Sequence, residues 1–152
     1  MDEKQIKQVQ VSFSRLLPYS AKAAALFYSR LFALSPRLES LFTSSMETQG
    51  ESFMKMISMV VRGLDDIDAL HLLLGSVGVR HVAYGVTDED YDVCTESFVW
   101  AIEQAQSEDF SPELRAAWFT VFGLFSKAMK DAARASERPQ SSLSNLSARA
   151  AG

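Results

Sequence analysis

The sequence contains few of the residues on which disulfide-linked and metal-cluster proteins depend. Its 152 residues include one cysteine, Cys94, and two histidines, His71 and His81. A single cysteine excludes an intrachain disulfide framework and also a paired-cysteine zinc or redox motif. Because such cysteine usage is ordinary in reducing compartments, we expect a cytoplasmic location.

Long apolar runs and an excess of positive charge are also absent. No run approaches the roughly 18 residues that a membrane span requires, and the polar first ten residues lack the apolar centre of a signal peptide. The formal net charge is -4, whereas binding along a phosphate backbone needs a basic face. We therefore expect neither a membrane nor a nucleic acid as partner.

Residues typical of β-strands are scarce as well. Isoleucine occurs 4 times and threonine 5 times, against 18 alanines, and no stretch alternates apolar and polar residues over the length of a strand. The four prolines fall between periodic stretches, where proline marks the start or the break of a helix. The sequence therefore predicts an all-α protein with a single core.

Helical periodicity and capping residues divide the chain into segments. Ser35-Pro36 and Ser111-Pro112 each place an N-cap before a proline at the first helical position, and Gly85 is a natural stop. Residues 136–152 are rich in serine and alanine and offer little to a core. We expect a domain over 1–135 and a disordered tail over 136–152. The predicted helices cover approximately residues 3–17, 20–34, 36–42, 48–64, 65–84, 87–106 and 111–135.

The first candidate for chemistry is His81, which follows Leu74 and Val77 on one stripe of an apolar helix. A neutral imidazole that faces the interior is a good single-point metal ligand, and its other nitrogen can bond a main-chain carbonyl. The alternative is a hydrogen-bonded core histidine. His71 cannot share a metal ion with it, because ten residues of helix separate the two by ~15 Å.

Two further polar residues lie on apolar faces of other predicted helices. Tyr28 lies on the buried side of the second helix, and Gln49 precedes the apolar stripe of the helix over 48–64. A buried amide is costly unless it is paired, so these groups could line one pocket with His81. The alternatives are a core tyrosine bonded to a carbonyl and a glutamine that faces solvent. Neither a nucleophile-elbow motif nor a phosphate-binding glycine loop is present.

Several short stretches of residues 5–134 have a characteristic order and spacing along the chain. Tyr28 and Phe42 are 14 residues apart, and Gln49 and His81 are 32 apart. In this order and spacing the stretches resemble the globins, in particular bacterial single-domain globins and the haem domain of flavohaemoglobins. They are Phe27–Phe32, Ser35-Pro36 with Leu41-Phe42, Met46–Gln49, Arg80–Val86 followed by Tyr91, and Ala117-Trp118.

The resemblance implies a globin fold of about seven to eight helices around haem b. It implies that His81 is the proximal ligand of the iron, that Phe42 wedges against the haem face, and that Tyr91 lies near the proximal histidine. Glutamine is a poor iron ligand, so we expect a five-coordinate iron with an open or water-occupied sixth position.

On the opposite, distal side the resemblance assigns three further residues. Tyr28 and Gln49 match the pair above the sixth iron position, and Phe53 matches the apolar residue one turn further along, where leucine is more usual. A tyrosine hydroxyl and a glutamine amide can both donate hydrogen bonds to bound oxygen.

Two departures from the flavohaemoglobin pattern affect the expected activity. Flavohaemoglobins carry a glutamate in the last helix that joins the proximal histidine and the tyrosine, and this chain has Ala133 at that position. The 17 residues after Ala135 are also too few for a flavin and nicotinamide reductase, so reducing electrons would come from another protein.

The favoured function is therefore a haem protein that reversibly binds oxygen, with carbon monoxide and nitric oxide as further ligands. One alternative is nitric-oxide dioxygenation with a separate reductase. Another is a gas sensor that acts on a protein partner, and a third is a haem-free interaction module.

Overall fold

A computed structural model describes the backbone of residues 1–106 and 110–151, and the side chains of 1–81, 84–106 and 110–135. This described part contains no strand, which confirms the all-α fold class. Three short 3-10 segments connect the helices: Leu17–Tyr19, Pro36–Leu41 and Gly63–Asp65. The α-helices are α1 Glu3–Leu16, α2 Ser20–Leu34, α3 Met46–Arg62, α4 Ile67–Ala83, α5 Asp88–Gln106 and α6 Pro112–Ala151.

Most helix starts and ends lie within two residues of those expected from the sequence. One exception is α6, which continues to Ala151, whereas the last predicted helix ends at residue 135. The other is the third predicted helix, which is a 3-10 segment because it has only the six residues Pro36–Leu41 before the backbone becomes extended at Phe42. The predicted disorder of residues 136–152 concerns side chains outside the described part and stays a prediction. None of the described helices is long and apolar enough to cross a membrane.

The core is built around α5, which packs against α1, α2 and α6. Phe98 on α5 is fully buried and lies between Phe27 of α2, Trp118 of α6 and Phe122, with ring centres 4.5 to 5.8 Å apart. The Trp118 indole N–H donates to the buried Ser12 hydroxyl at 3.1 Å, which pairs the one polar atom of that side chain. The result is a closely packed aromatic core between α2, α5 and α6.

A close approach of α4 to α6 positions the C-terminal half of α4. A Cβ atom on Gly78 would lie 2.4 Å from the Met129 carbonyl oxygen of α6, so only glycine fits there. The end of α4 is fixed by Gly85, whose φ is +82°, and by a bond of 3.2 Å from the Val86 N–H to the His81 carbonyl. These two constraints hold the last turn of α4, which carries His81.

Candidate functional site

His81 lies in the last turn of α4 and is half-buried. Its Nδ1 is 2.8 Å from the Val77 carbonyl oxygen, one turn earlier on the same helix. Because a carbonyl oxygen can only accept, Nδ1 must be the nitrogen that carries the proton. The lone pair of the neutral ring is therefore on Nε2, which is the state in which an imidazole binds a metal.

Tyr91 of α5 lies beside this imidazole. The two ring centres are 6.2 Å apart and the ring planes differ by 22°. The Tyr91 hydroxyl is buried and has no hydrogen-bond partner among the described residues. Burial raises the pKa of Tyr91, and nearby Cys94 and Asp88 act in the same direction, so the phenol stays neutral at physiological pH.

The start of α5, and with it Tyr91, is anchored by the buried Asp90. Its carboxylate accepts from the Thr87 N–H at 2.8 Å and from the Arg37 guanidinium at 2.5 Å. Burial acts to raise the pKa of Asp90, but the bonds from Thr87 and Arg37 outweigh it and hold that pKa below its usual value. This ion pair connects the 3-10 segment after α2 to the start of α5, where Tyr91 lies.

A cluster of aromatic rings surrounds Tyr28, a residue that is only 5% exposed. Its ring centre is 5.4 Å from that of Phe42 and 5.9 Å from that of Phe53. Phe53 also stacks on Phe27 at 4.4 Å. The phenol ring of Tyr28 is thus packed among apolar rings.

Gln49 is the polar neighbour of Tyr28. The Ser45 N-cap accepts from the Thr48 N–H at 3.2 Å and fixes the first turn of α3, and Gln49 and Phe53 then share one helix face. Burial raises the pKa of Tyr28 to about 12, although a hydrogen bond with the Gln49 side chain acts to lower it. Tyr28 therefore remains a hydrogen-bond donor throughout the physiological pH range.

Cys94 is a residue of the site that the sequence analysis did not single out. It is near enough to Tyr28 and Tyr91 for a charge on its sulfur to raise the pKa of both phenols. Burial raises the pKa of the Cys94 thiol itself to about 12, so the thiol is neutral. Cys94 follows Tyr91 by three residues and so lies on the same face of α5. This spacing could have indicated from the sequence that Cys94 is near the site.

The structure groups the six predicted site residues into two clusters. Tyr28, Phe42, Phe53 and Gln49 form the first cluster, near α2 and α3, and His81 and Tyr91 form the second, on α4 and α5. The neutral thiol of Cys94 on α5 is close to a tyrosine of each cluster. The second cluster provides one imidazole nitrogen that can bind a metal, and the first provides two side chains that can donate hydrogen bonds.

Comparison with known proteins identifies the family. The globin family model matches residues 25–129, which is more than half of the chain. The chain belongs to the globin family. Membership implies a haem-binding, gas-binding protein in general terms.

Relatives of this globin include proteins about three times its length and proteins of similar length. Flavohemoprotein A of Dictyostelium discoideum is 24% identical over 133 residues, which cover 87% of this chain and 34% of that protein. This globin therefore spans about a third of the length of the flavohemoproteins that it matches. Neuroglobin-1 of Oncorhynchus mykiss is 27% identical over 143 residues, which cover 85% of this chain and 90% of that protein.

A solved structure supports the fold of this globin independently. The bacterial globin from Campylobacter jejuni superposes with a TM-score of 0.78 at 20% identity, over 90% of this chain and 99% of that chain. At this level of identity the likeness establishes the fold alone. It agrees with the globin fold expected from the sequence.

The residues of the site fit a haem group. The described residues contain no cluster of three histidine, cysteine or acidic side chains that could hold a bare metal ion. A porphyrin supplies four nitrogen ligands itself, so the protein needs to add only one axial ligand. The bond to the Val77 carbonyl fixes the tautomer of His81 and leaves its Nε2 free. His81 can therefore supply the one axial ligand that haem needs.

Proposed function

We propose that this globin holds haem b through His81 and reversibly binds oxygen and other diatomic gases on the side of Tyr28 and Gln49. The observation that carries the proposal is the 2.8 Å contact between His81 Nδ1 and the Val77 carbonyl, which leaves Nε2 as the ligand atom. When bound, haem supplies an iron atom with one position open to a diatomic ligand.

On the proximal side the chain orients the imidazole and fixes its tautomer. The carbonyl of Val77 is an uncharged acceptor, so it fixes the ring without drawing the proton away as a carboxylate would. Tyr91 packs beside the ring at 6.2 Å and limits its movement. A neutral imidazole is a weaker electron donor than one bonded to a carboxylate, which suits binding rather than activation of oxygen.

On the distal side the chain supplies hydrogen-bond donors in an apolar surrounding. Tyr28 stays protonated because the pKa of its phenol is about 12, and Gln49 can donate through its amide. Each hydrogen bond contributes about 0.5–1.5 kcal/mol net, and more where water is excluded. The rings of Phe42 and Phe53 add apolar surface next to Tyr28, so we expect slow release of a polar gas ligand.

Nitric-oxide dioxygenation is a second candidate, which the likeness to the flavohemoproteins favours. It needs a reductase to return the iron to its ferrous state. Ala133 occupies the position that the flavohaemoglobin pattern gives to glutamate, which argues against efficient turnover. The cytoplasmic location expected from the single cysteine belongs to this proposal as well.

Repeated oxygenation of the reduced holoprotein tests the proposed function. Absorption spectra are taken as the sample passes from argon to air and back to argon over several cycles. The proposal predicts that the ferrous spectrum returns after each cycle. Conversion to the ferric form within one cycle would contradict reversible binding, and rapid nitrate formation from nitric oxide with an added reductase would favour the dioxygenase.

A further inference from the structure

A cation lies close to Tyr91, the aromatic neighbour of His81. The Lys130 ammonium of α6 lies 5.4 Å from the centre of the Tyr91 ring. That ring in turn lies 6.2 Å from the ring of His81. Lys130 and the candidate haem ligand thus share one buried aromatic neighbour.

Lys130 differs from the neighbouring cations of α6, Lys127 and Arg134, in its ion pairing. Lys127 pairs with Asp131 at 2.6 Å, and Arg134 pairs with Asp88 at 3.5 Å. Among the described residues, no carboxylate forms an ion pair with Lys130, although Asp92 and Asp131 line the same surface groove. Its charge is consequently the least neutralised of the three.

The packing of α6 against α4 holds Lys130 in this position. Met129, the preceding residue, lies against Gly78 with no room for a Cβ atom, and Ala132 lies 3.5 Å from the Cβ position of Gly75. Gly78 is three residues before His81, so one rigid contact fixes both the imidazole and the backbone that carries the ammonium. Ala133 follows on the same face and adds no charge.

We propose that Lys130 is a positioning residue that acts on bound haem through the field of its ammonium, favouring the ferrous over the ferric state. The inference rests on the proposed role of His81 as the haem ligand. A ferric haem carries one more positive charge than a ferrous haem, so a nearby cation disfavours oxidation. This effect of the charge would help a gas-binding globin to remain in the ferrous state, which is the state that binds oxygen.

The size of the effect follows from the distances. The two contacts place the ammonium no more than about 12 Å from the His81 ring. With an effective dielectric constant between about 20 and 40, one unit charge at that distance changes an equilibrium by roughly three- to tenfold. We expect this change in the ratio of ferrous to ferric protein at a fixed ambient potential.

A spectroelectrochemical titration of holoprotein variants tests the proposal. At the midpoint potential of the wild type, Lys130→Met should lower the ferrous-to-ferric ratio about three- to tenfold, and Lys130→Glu should lower it further. Lys130→Arg, which keeps the charge, should stay near the wild-type ratio. Lys127→Met is the matched control, since it removes the same charge one turn away at an exposed position, and should change the ratio less than about twofold.

Several results would overturn the inference. Equal ratios in Lys130→Arg and Lys130→Glu would show that the charge has no effect, and an equal shift in Lys127→Met would show that only overall charge matters. If Lys130→Met does not fold, the comparison of the arginine and glutamate variants decides. Failure of the wild type itself to bind haem would remove the proposed function, whereas unchanged ratios in haem-loaded variants would remove this inference alone.

Discussion

Tyr28 combines two properties that a distal hydrogen-bond donor needs. It is almost completely buried, and the pKa of its phenol is raised to about 12, mainly because burial disfavours the phenolate. The hydroxyl therefore keeps its proton, and the rings of Phe42 and Phe53 pack against the phenol ring. At the scale of single residues, this is the group on which the rate of oxygen release should depend most.

Replacement of this hydroxyl gives the first prediction for a single residue. Tyr28→Phe should increase the oxygen dissociation rate by roughly three- to tenfold, because one hydrogen bond of about 0.5–1.5 kcal/mol is lost while the ring packing is kept. The rate can be measured by stopped-flow displacement of oxygen with carbon monoxide.

The exposed Tyr84 offers a control for that experiment. Tyr84→Phe changes the same atom at a position that is 61% exposed, and should leave the rate unchanged. The wild-type rate should also be constant from about pH 7 to 10, since a pKa raised to about 12 delays loss of the donor until the pH rises well above 10. An unaltered rate in Tyr28→Phe would mean that this hydroxyl does not contact the ligand.

Single residues also show what the sequence could and could not predict about the site. The pairing of Tyr28 with Gln49 followed from polar residues on apolar faces and from the globin resemblance. Cys94 was not singled out, although it lies close to two of the predicted tyrosines. Its placement, like that of Lys130 over Tyr91, depends on how α5 and α6 cross, which periodicity along one helix cannot determine.

The contact between α4 and α6 is the feature at the scale of elements that positions His81. Gly78→Ala should destabilise the protein by about 1–3 kcal/mol, because the new Cβ atom would meet the rigid Met129 backbone and force the helices apart. Since His81 is one turn further along α4, the variant should also lose haem faster. Thermal unfolding and transfer of haem to an acceptor protein measure the two effects.

Gly123→Ala is the matched control for that helix contact. No atom lies within 4 Å of the Cβ position at Gly123, so the same substitution should be neutral or should stabilise α6 by up to about 1 kcal/mol. Equal stability of the two variants would show that the approach of α4 to α6 is not constrained by Gly78.

The elements themselves were largely predictable, because their ends are encoded locally. Ser111 as an N-cap and Gly85 as a stop are visible in the sequence and carry out those roles in the structure. The segment Pro36–Leu41 was predicted as a helix but is a 3-10 segment. The ion pair of Arg37 with Asp90 joins residues 53 positions apart, and no local signal could reveal it.

At the scale of the whole molecule, the buried apolar residues of the described part form one core cluster, in which Phe98 and Trp118 are fully buried. Phe42 and Phe53 pack against this core but are only half-buried, as is His81. A bound porphyrin would add apolar surface next to such half-buried residues, so we expect the haem-bound protein to be more stable than the apoprotein.

The most direct test of the central claim compares the two histidines of the chain. The protein and its His81→Ala and His71→Ala variants are purified from haem-supplied cells, and the Soret absorption per polypeptide is measured. The account predicts that the wild type and His71→Ala, whose replaced side chain is exposed, bind haem equally, and that His81→Ala loses the band. Full retention of the Soret band in His81→Ala, or its absence from the wild type, would contradict the account.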